Sequence, residues 1–247
     1  MRLLNAETIC LEEYFEESVP KYAILSHTWG PGEVSFQDLN QDPNHKSKAG
    51  YHKIAESCRL AVQYGYGYVW VDTCCIDKSS SAELSEAINS MCRWYENSGV
   101  CFVYLADVPS DDDVFDDNSA FSQSRWHSRG WTLQELLAPK QHVFFGSNWG
   151  RIARYRALMK ETTDIDLISD LYYLDSPSPW KKCSVATKLS WASRRRTTRK
   201  EDIAYCLLGL LEVQIPLLYG EGDNAFRRLL IKLMEQDNSH DIFLAGY

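Results

Sequence analysis

The chain has 247 residues, 45% of them apolar and 24% charged, with a net charge of -8 at pH 7. This is an ordinary globular composition with enough chain to bury a sizeable core, which excludes a disordered or fibrous protein. The acidic balance argues against a general nucleic-acid binder, whose phosphate contacts need a basic surface, and leaves small ligands open.

Eight cysteines occur, mostly inside apolar runs such as Val100-Cys101-Phe102-Val103. In that setting a reduced cysteine behaves as a small buried hydrophobe, so a disulfide framework is not expected. No apolar run reaches the roughly eighteen residues of a membrane span, and no basic-then-apolar leader opens the chain. A reduced, cytoplasmic protein without membrane association is expected.

In chain order, residues 1–20 predict a short strand and turn. Lys21 to Ser26 is a buried strand that stops at the polar group His27-Thr28-Trp29-Gly30. Residues 37–51 are polar and turn-rich, a surface loop. Ile54, Cys58, Ala61 and Val62 recur at helical spacing from Tyr51 to Tyr64, closed by Gly65 and Gly67. Tyr68-Val69-Trp70-Val71 is the second strand and ends at Asp72. Ser81 to Glu96 is the next helix, and Val100 to Leu105 a third strand ending near Asp107. The aspartate-rich loop from Asp107 to Ser124 lacks the glycine and terminal glutamate of an EF-hand loop. Gln141 to Gly146 is a fourth strand.

Beyond Trp149 the pattern turns helical, over Arg151 to Met159, Val185 to Ser193, Glu201 to Leu211 and Asp223 to Glu235. Thr198-Arg199-Lys200-Glu201 has the form of a capping box. The organisation expected is an α/β core over residues 1–160, with a helical extension over 161–247 packed on it. Strands alternating with helices imply a parallel sheet with helices on both faces, and ligands of such sheets bind outside the carboxyl ends of the strands. His27, Asp72 and Asp107 all follow strands and should share that edge.

The stretch from Ser124 to Leu137 gathers two tryptophans, two arginines, a histidine and Glu135 just before a short apolar helix pattern. Thr132-Leu133-Gln134-Glu135 fits a capping box, in which the glutamate only reaches back to a backbone N–H. The aromatic, arginine-rich surroundings suit a catalytic carboxylate instead. His27 reads either as a general base or as a polar strand end, and Asp72 either as a ribose ligand or as a helix cap. Adjacent Cys74 and Cys75 fit neither a redox nor a zinc spacing. They are packing residues or, with His27 as base, a nucleophile pair. No cysteine or histidine arrangement points to a metal. Gly65-Tyr66-Gly67 and Tyr219-Gly220-Glu221-Gly222 lack the form of a nucleotide fingerprint. The one basic run, Arg194 to Lys200, reads as a solvated face, with contact to a ligand phosphate or an acidic partner as the other reading.

Four of these segments together resemble the fungal heterokaryon-incompatibility (HET) domain: Ser26-His27-Thr28-Trp29-Gly30, Val69 to Lys78, Arg129 to Leu136 and Tyr219-Gly220-Glu221-Gly222. They follow that family's order over about residues 21 to 230. The resemblance implies a role in non-self recognition and regulated cell death. Trp131-Thr132-Leu133-Gln134-Glu135-Leu136 is also similar to the Trp-Cys-x-x-Glu-Leu segment of TIR domains, with Thr132 in place of the cysteine. That similarity implies a TIR-like, flavodoxin-like parallel sheet, and a glutamate that serves hydrolysis of the nicotinamide-ribose bond of NAD.

On this reading Glu135 is catalytic, and His27, Trp29, Asp72, Arg129 and Trp131 shape the substrate pocket. NAD is a substrate, and no cofactor or metal is required. The partners expected are a nucleotide together with a second copy of the chain or an upstream receptor, with no nucleic acid. The alternative is a non-enzymatic module of homotypic assembly, in which Glu135 is only a cap.

Overall fold

In the computed structural model, which describes residues 1–114, 116, 118–152 and 178–236, the N-terminal segment forms two short antiparallel strands, β1 (Arg2–Asn5) and β2 (Leu11–Glu13). The apolar run that follows is β3 (Ala23–His27), buried along its whole length. Helix α1 (Phe36–Gln41) then occupies part of the segment expected to be a loop. Its start is a reciprocal cap: the Ser35 hydroxyl accepts from Asp38 N–H, and the Asp38 carboxylate accepts from Ser35 N–H. An aspartate in place of the usual glutamate or glutamine hides that signal.

Helix α2 (Tyr51–Gln63), β4 (Tyr68–Trp70), α3 (Ser81–Asn97) and β5 (Val100–Tyr104) follow as the apolar periods predict. Gly65, with φ of 80°, provides the left-handed residue that ends α2. Two short helices, α4 (Arg125–Ser128) and α5 (Thr132–Leu137), lead into β6 (His142–Phe145). Arg151 and Ile152 form β7, paired antiparallel with β6, rather than the start of a helix. The rest of that expected helix, and the expected boundary at residues 160 and 161, lie outside the described residues.

The seven strands make one sheet in the order β2-β1-β4-β3-β5-β6-β7. The pairings β4–β3, β3–β5 and β5–β6 are parallel, and those at the edges are antiparallel. The expected parallel sheet is therefore the centre of a mixed one. Turn-length links, such as that between β6 and β7, cannot return a strand to the same end, so they force antiparallel pairing.

Register assigns the faces. Ile24 lies opposite both Trp70 and Cys101, so these three share one face, and Leu25 and Phe102 share the other. Trp70 packs on Trp94 and Tyr95 of α3, whereas Phe102 packs on Tyr64 at the end of α2. Helices thus cover both faces, and α5 lies with α3, since the Cys101 thiol reaches the Glu135 carbonyl at 3.9 Å.

The C-terminal part supplies α6 (Val185–Ala192), α7 (Asp202–Tyr205) and α8 (Asn224–Gln236). The helix expected from Glu201 to Leu211 is thus a single turn. Leu207, Leu208, Leu210 and Leu211 are all buried, which breaks any one-sided pattern. Gly209 packs so closely on α3 that a Cβ there would lie 2.2 Å from that of Cys92. All eight cysteines are free thiols. No helix among the described residues is long and apolar enough to cross a membrane.

Candidate functional site

The carboxyl ends of β3 and β4 open into a cavity of about 330 Å³. His27, Trp29, Asp72, Arg129, Trp131 and Glu135 all line it, although they come from separate parts of the chain. His27 is the last residue of β3, and Asp72 follows β4 by one residue beyond Val71. Asp107 goes elsewhere: its carboxylate accepts from the Ser124 hydroxyl at 2.8 Å and from Arg125 N–H at 3.0 Å, at the start of α4.

Glu135 is not a helix cap. Trp131 holds the N-cap position without a side-chain cap bond, and the Thr132 hydroxyl donates to the Trp126 and Arg129 carbonyls instead. The Glu135 carboxyl accepts from the Ser26 hydroxyl at 2.5 Å. Ser26 in turn accepts from the Trp126 indole N–H at 2.7 Å. Tyr95, whose hydroxyl donates to the Leu25 carbonyl at 3.0 Å, also interacts with the Glu135 carboxyl. The carboxyl is therefore fixed from β3, α3 and α4 at once. Burial pushes its pKa up to about 8, and the Asp72 charge adds to this against the opposing pull of Ser26, Arg129 and Tyr95. At pH 7 the carboxyl is therefore held protonated.

His27 is 4% exposed, and neither ring nitrogen has a hydrogen-bond partner. Its Nε2 stands 3.9 Å from Asp72 and 4.0 Å from Glu33, beyond hydrogen-bond reach. Burial brings its pKa down to about 4, so the ring is neutral. Glu33 is engaged by Lys53 and by Gly30 N–H. The Trp29 indole N–H donates to Asp72 at 2.8 Å, which holds the ring at the cavity mouth, and Lys78 Nζ sits 3.8 Å from the ring centre. With 41% of its surface exposed, Trp29 offers a flat apolar surface to a ligand.

Four further residues of the wall were not assigned to the site from the sequence, although Lys78, Arg199 and Tyr219 fall in segments singled out there: Lys78, Arg199, Asp202 and Tyr219. Tyr219 donates its hydroxyl to Asp202 at 2.9 Å, and the Arg199 guanidinium lies 4.5 Å over its ring. The glycine loop after it is anchored by Glu201, whose carboxylate accepts from Gly220 and Gly222 N–H at 2.8 and 3.0 Å. The capping box expected at Thr198 to Glu201 is therefore absent, because that carboxylate is committed to the loop. Both glycines have positive φ, 104° and 59°, which explains the residue type. Arg195 ties the basic run to the site by donating to the Arg129 carbonyl and the Thr132 hydroxyl, both at 2.9 Å.

Cys74 and Cys75 take the packing role. Both are buried, Cys75 accepts from Val71 N–H through its sulfur, and the Cys74 thiol is held well above its ordinary pKa by its contact with Cys75 and by burial. Among the described residues no group of His, Cys, Asp and Glu could hold a metal ion. What converges on the cavity is one buried carboxyl, a neutral imidazole, two tryptophans and basic side chains at its rim.

No solved structure matches the chain. The vegetative incompatibility protein HET-E-1 of Podospora anserina is 47% identical over 226 residues, which cover 89% of this chain and 16% of that protein. A family model described as heterokaryon incompatibility protein (HET) matches residues 22–119, which contain the first two motifs at the cavity. The chain belongs to the heterokaryon incompatibility (HET) family.

Proposed function

We propose that the cavity is the active site of a nucleosidase, which hydrolyses the N-glycosidic bond of NAD or a related nucleotide and releases the base. In the cell this would be the effector step of a heterokaryon-incompatibility death response. The observation that carries the reading is Glu135, a buried carboxyl fixed by Ser26 and Tyr95 at the wall of an aromatic cavity. A helix cap needs neither that burial nor those partners.

The chemistry fits one carboxyl. Cleavage of a bond from ribose to a cationic base passes through an oxocarbenium-like state, and a nearby carboxylate stabilises the developing charge. Nicotinamide leaves as a neutral molecule, so no general acid is required. Glu135 is held protonated at neutral pH by burial, and an arriving pyridinium cation favours its ionised form. Trp29 and Trp131 offer stacking surfaces for the base, and Asp72 and His27 stand at the strand ends to receive ribose hydroxyls. The central strand order β4-β3-β5-β6 supports a flavodoxin-like and TIR-like core, because it repeats the order in which the first strand lies between the second and third.

Product analysis after incubation with a panel of nucleotides tests the proposal. Free base from at least one of them is the expected result. A folded, concentrated sample that releases base from none of them leaves the assembly-module reading in its place.

A further inference from the structure

A second hollow, of about 260 Å³, adjoins the cavity and shares Trp29, Arg129, Thr197 and Thr198 with it. Arg125, Arg129 and Arg196 line it, together with the hydroxyl side chains of Thr28, Ser128 and Thr198. Among the described residues its lining includes no aspartate or glutamate. That is an unusual concentration of positive charge in a chain of net charge -8.

The backbone places two of these arginines side by side. Arg129 and Arg196 lie opposite each other in an isolated parallel bridge, with Gly130 N–H donating to the Arg196 carbonyl at 2.8 Å and Arg196 N–H to the Ser128 carbonyl at 2.7 Å. Among the described residues neither guanidinium has an ion-pair partner, whereas Arg125 is paired with Asp107 at 3.5 Å. Buried Arg195 reinforces the arrangement by holding the Arg129 carbonyl. Both arginines line the hollow, so one anion there can pair with both guanidinium groups, and the surrounding hydroxyls add donors to it.

We propose that this hollow is a phosphate subsite, which takes the phosphate or diphosphate of the substrate while the base and ribose occupy the neighbouring cavity. The inference rests on the nucleotide reading of that cavity and deepens it: the preferred substrates are nucleoside phosphates over free nucleosides. Arg196 is a specificity-determining residue from the basic run, and its exposed position lets a ligand reach it.

The test has two arms. In the first, inorganic pyrophosphate is titrated calorimetrically into the wild-type chain, Arg196→Gln, Arg196→Lys and Arg59→Gln. The last removes the same charge from the exposed Arg59, which is paired with Glu56 on α2. Loss of one charge-assisted contact weakens binding about tenfold in Arg196→Gln. A smaller loss is expected in Arg196→Lys and none in Arg59→Gln. In the second arm, base release is compared between NAD and nicotinamide riboside. NAD is expected to be the better substrate, with Arg196→Gln narrowing the difference. Undetectable pyrophosphate binding, equal binding by wild type and Arg196→Gln, or equal use of the two substrates by wild type overturns the subsite. Pyrophosphate binding that depends on Arg196, without base release from any nucleotide, supports the subsite and sinks the nucleosidase reading alone.

Discussion

Replacing Glu135 by glutamine should stabilise the protein at neutral pH. The wild-type carboxyl has a pKa of about 8 in the folded chain against an ordinary value of 4.5. A carboxyl raised in this way contributes stability that is complete below the unfolded value and is lost as pH rises toward the folded one. At pH 7 the unfolded chain is ionised and the folded chain is not. The gap of about 2.5 units between 4.5 and 7 costs roughly 3 kcal/mol relative to a group that never ionises. Glutamine is such a group. Its carbonyl can accept from Ser26 as the carboxyl does, and its amide can donate to the Tyr95 oxygen. Thermal unfolding of wild type and Glu135→Gln between pH 4.5 and 8 should give coincident midpoints at the acid end. At pH 7 the variant should melt higher by roughly 5–10 °C. A capping-box residue would behave differently, because glutamine fills that position as glutamate does and the midpoints would differ little at any pH. A variant less stable than wild type at pH 7, or a difference that does not change with pH, refutes the reasoning.

Ser26→Ala removes the partner of two buried groups, the Glu135 carboxyl and the Trp126 indole N–H. Urea unfolding should show a loss of about 2 kcal/mol or more. Because Ser26 holds the Glu135 pKa down, the variant's pH profile for base release should also move upward. His27 and His127 are both buried with pKa values near 4. Their neutral forms contribute stability above the unfolded value of about 6.5, which is lost as pH falls toward 4. His27→Gln should remove part of that acid loss, and an unchanged acid limb in urea midpoints would contradict it. Alkylation of the native protein should modify the exposed Cys10, spare buried Cys74 and Cys75, and leave base release intact. Inactivation that tracks modification of Cys74 or Cys75 would return the thiol to the chemistry.

The central strands and the main helices were legible because each carries a one-sided or continuous apolar pattern closed by turn residues. The short strand expected within residues 1–20 is β1, whereas the edge strands β2 and β7 have three and two residues, too few for a period to register. At Glu135 the local pattern misleads. Thr132 and Glu135 have the spacing of a capping box, yet the partner that decides the carboxyl's role is Ser26, 109 residues away. Position after a strand brought His27 and Asp72 to the cavity, whereas Asp107 turned aside to cap α4. Arg199, Asp202 and Tyr219 reach the wall only because the C-terminal part folds back on the sheet domain, pinned by the bridge between Arg129 and Arg196. Nothing in their local spacing announces that. The paired glycines of Tyr219-Gly220-Glu221-Gly222 were the available signal, since two left-handed positions in one short loop imply a backbone held for a purpose.

Nicotinamide release from NAD by purified wild type and by Glu135→Gln, followed from pH 6 to 9, tests the central claim most directly. The wild-type rate per unit of substrate at low NAD should climb with pH and level off above about 8, as Glu135 ionises. Glu135→Gln, folded and at least as stable, should release none at any pH. Release that survives in Glu135→Gln contradicts the role assigned to this carboxyl.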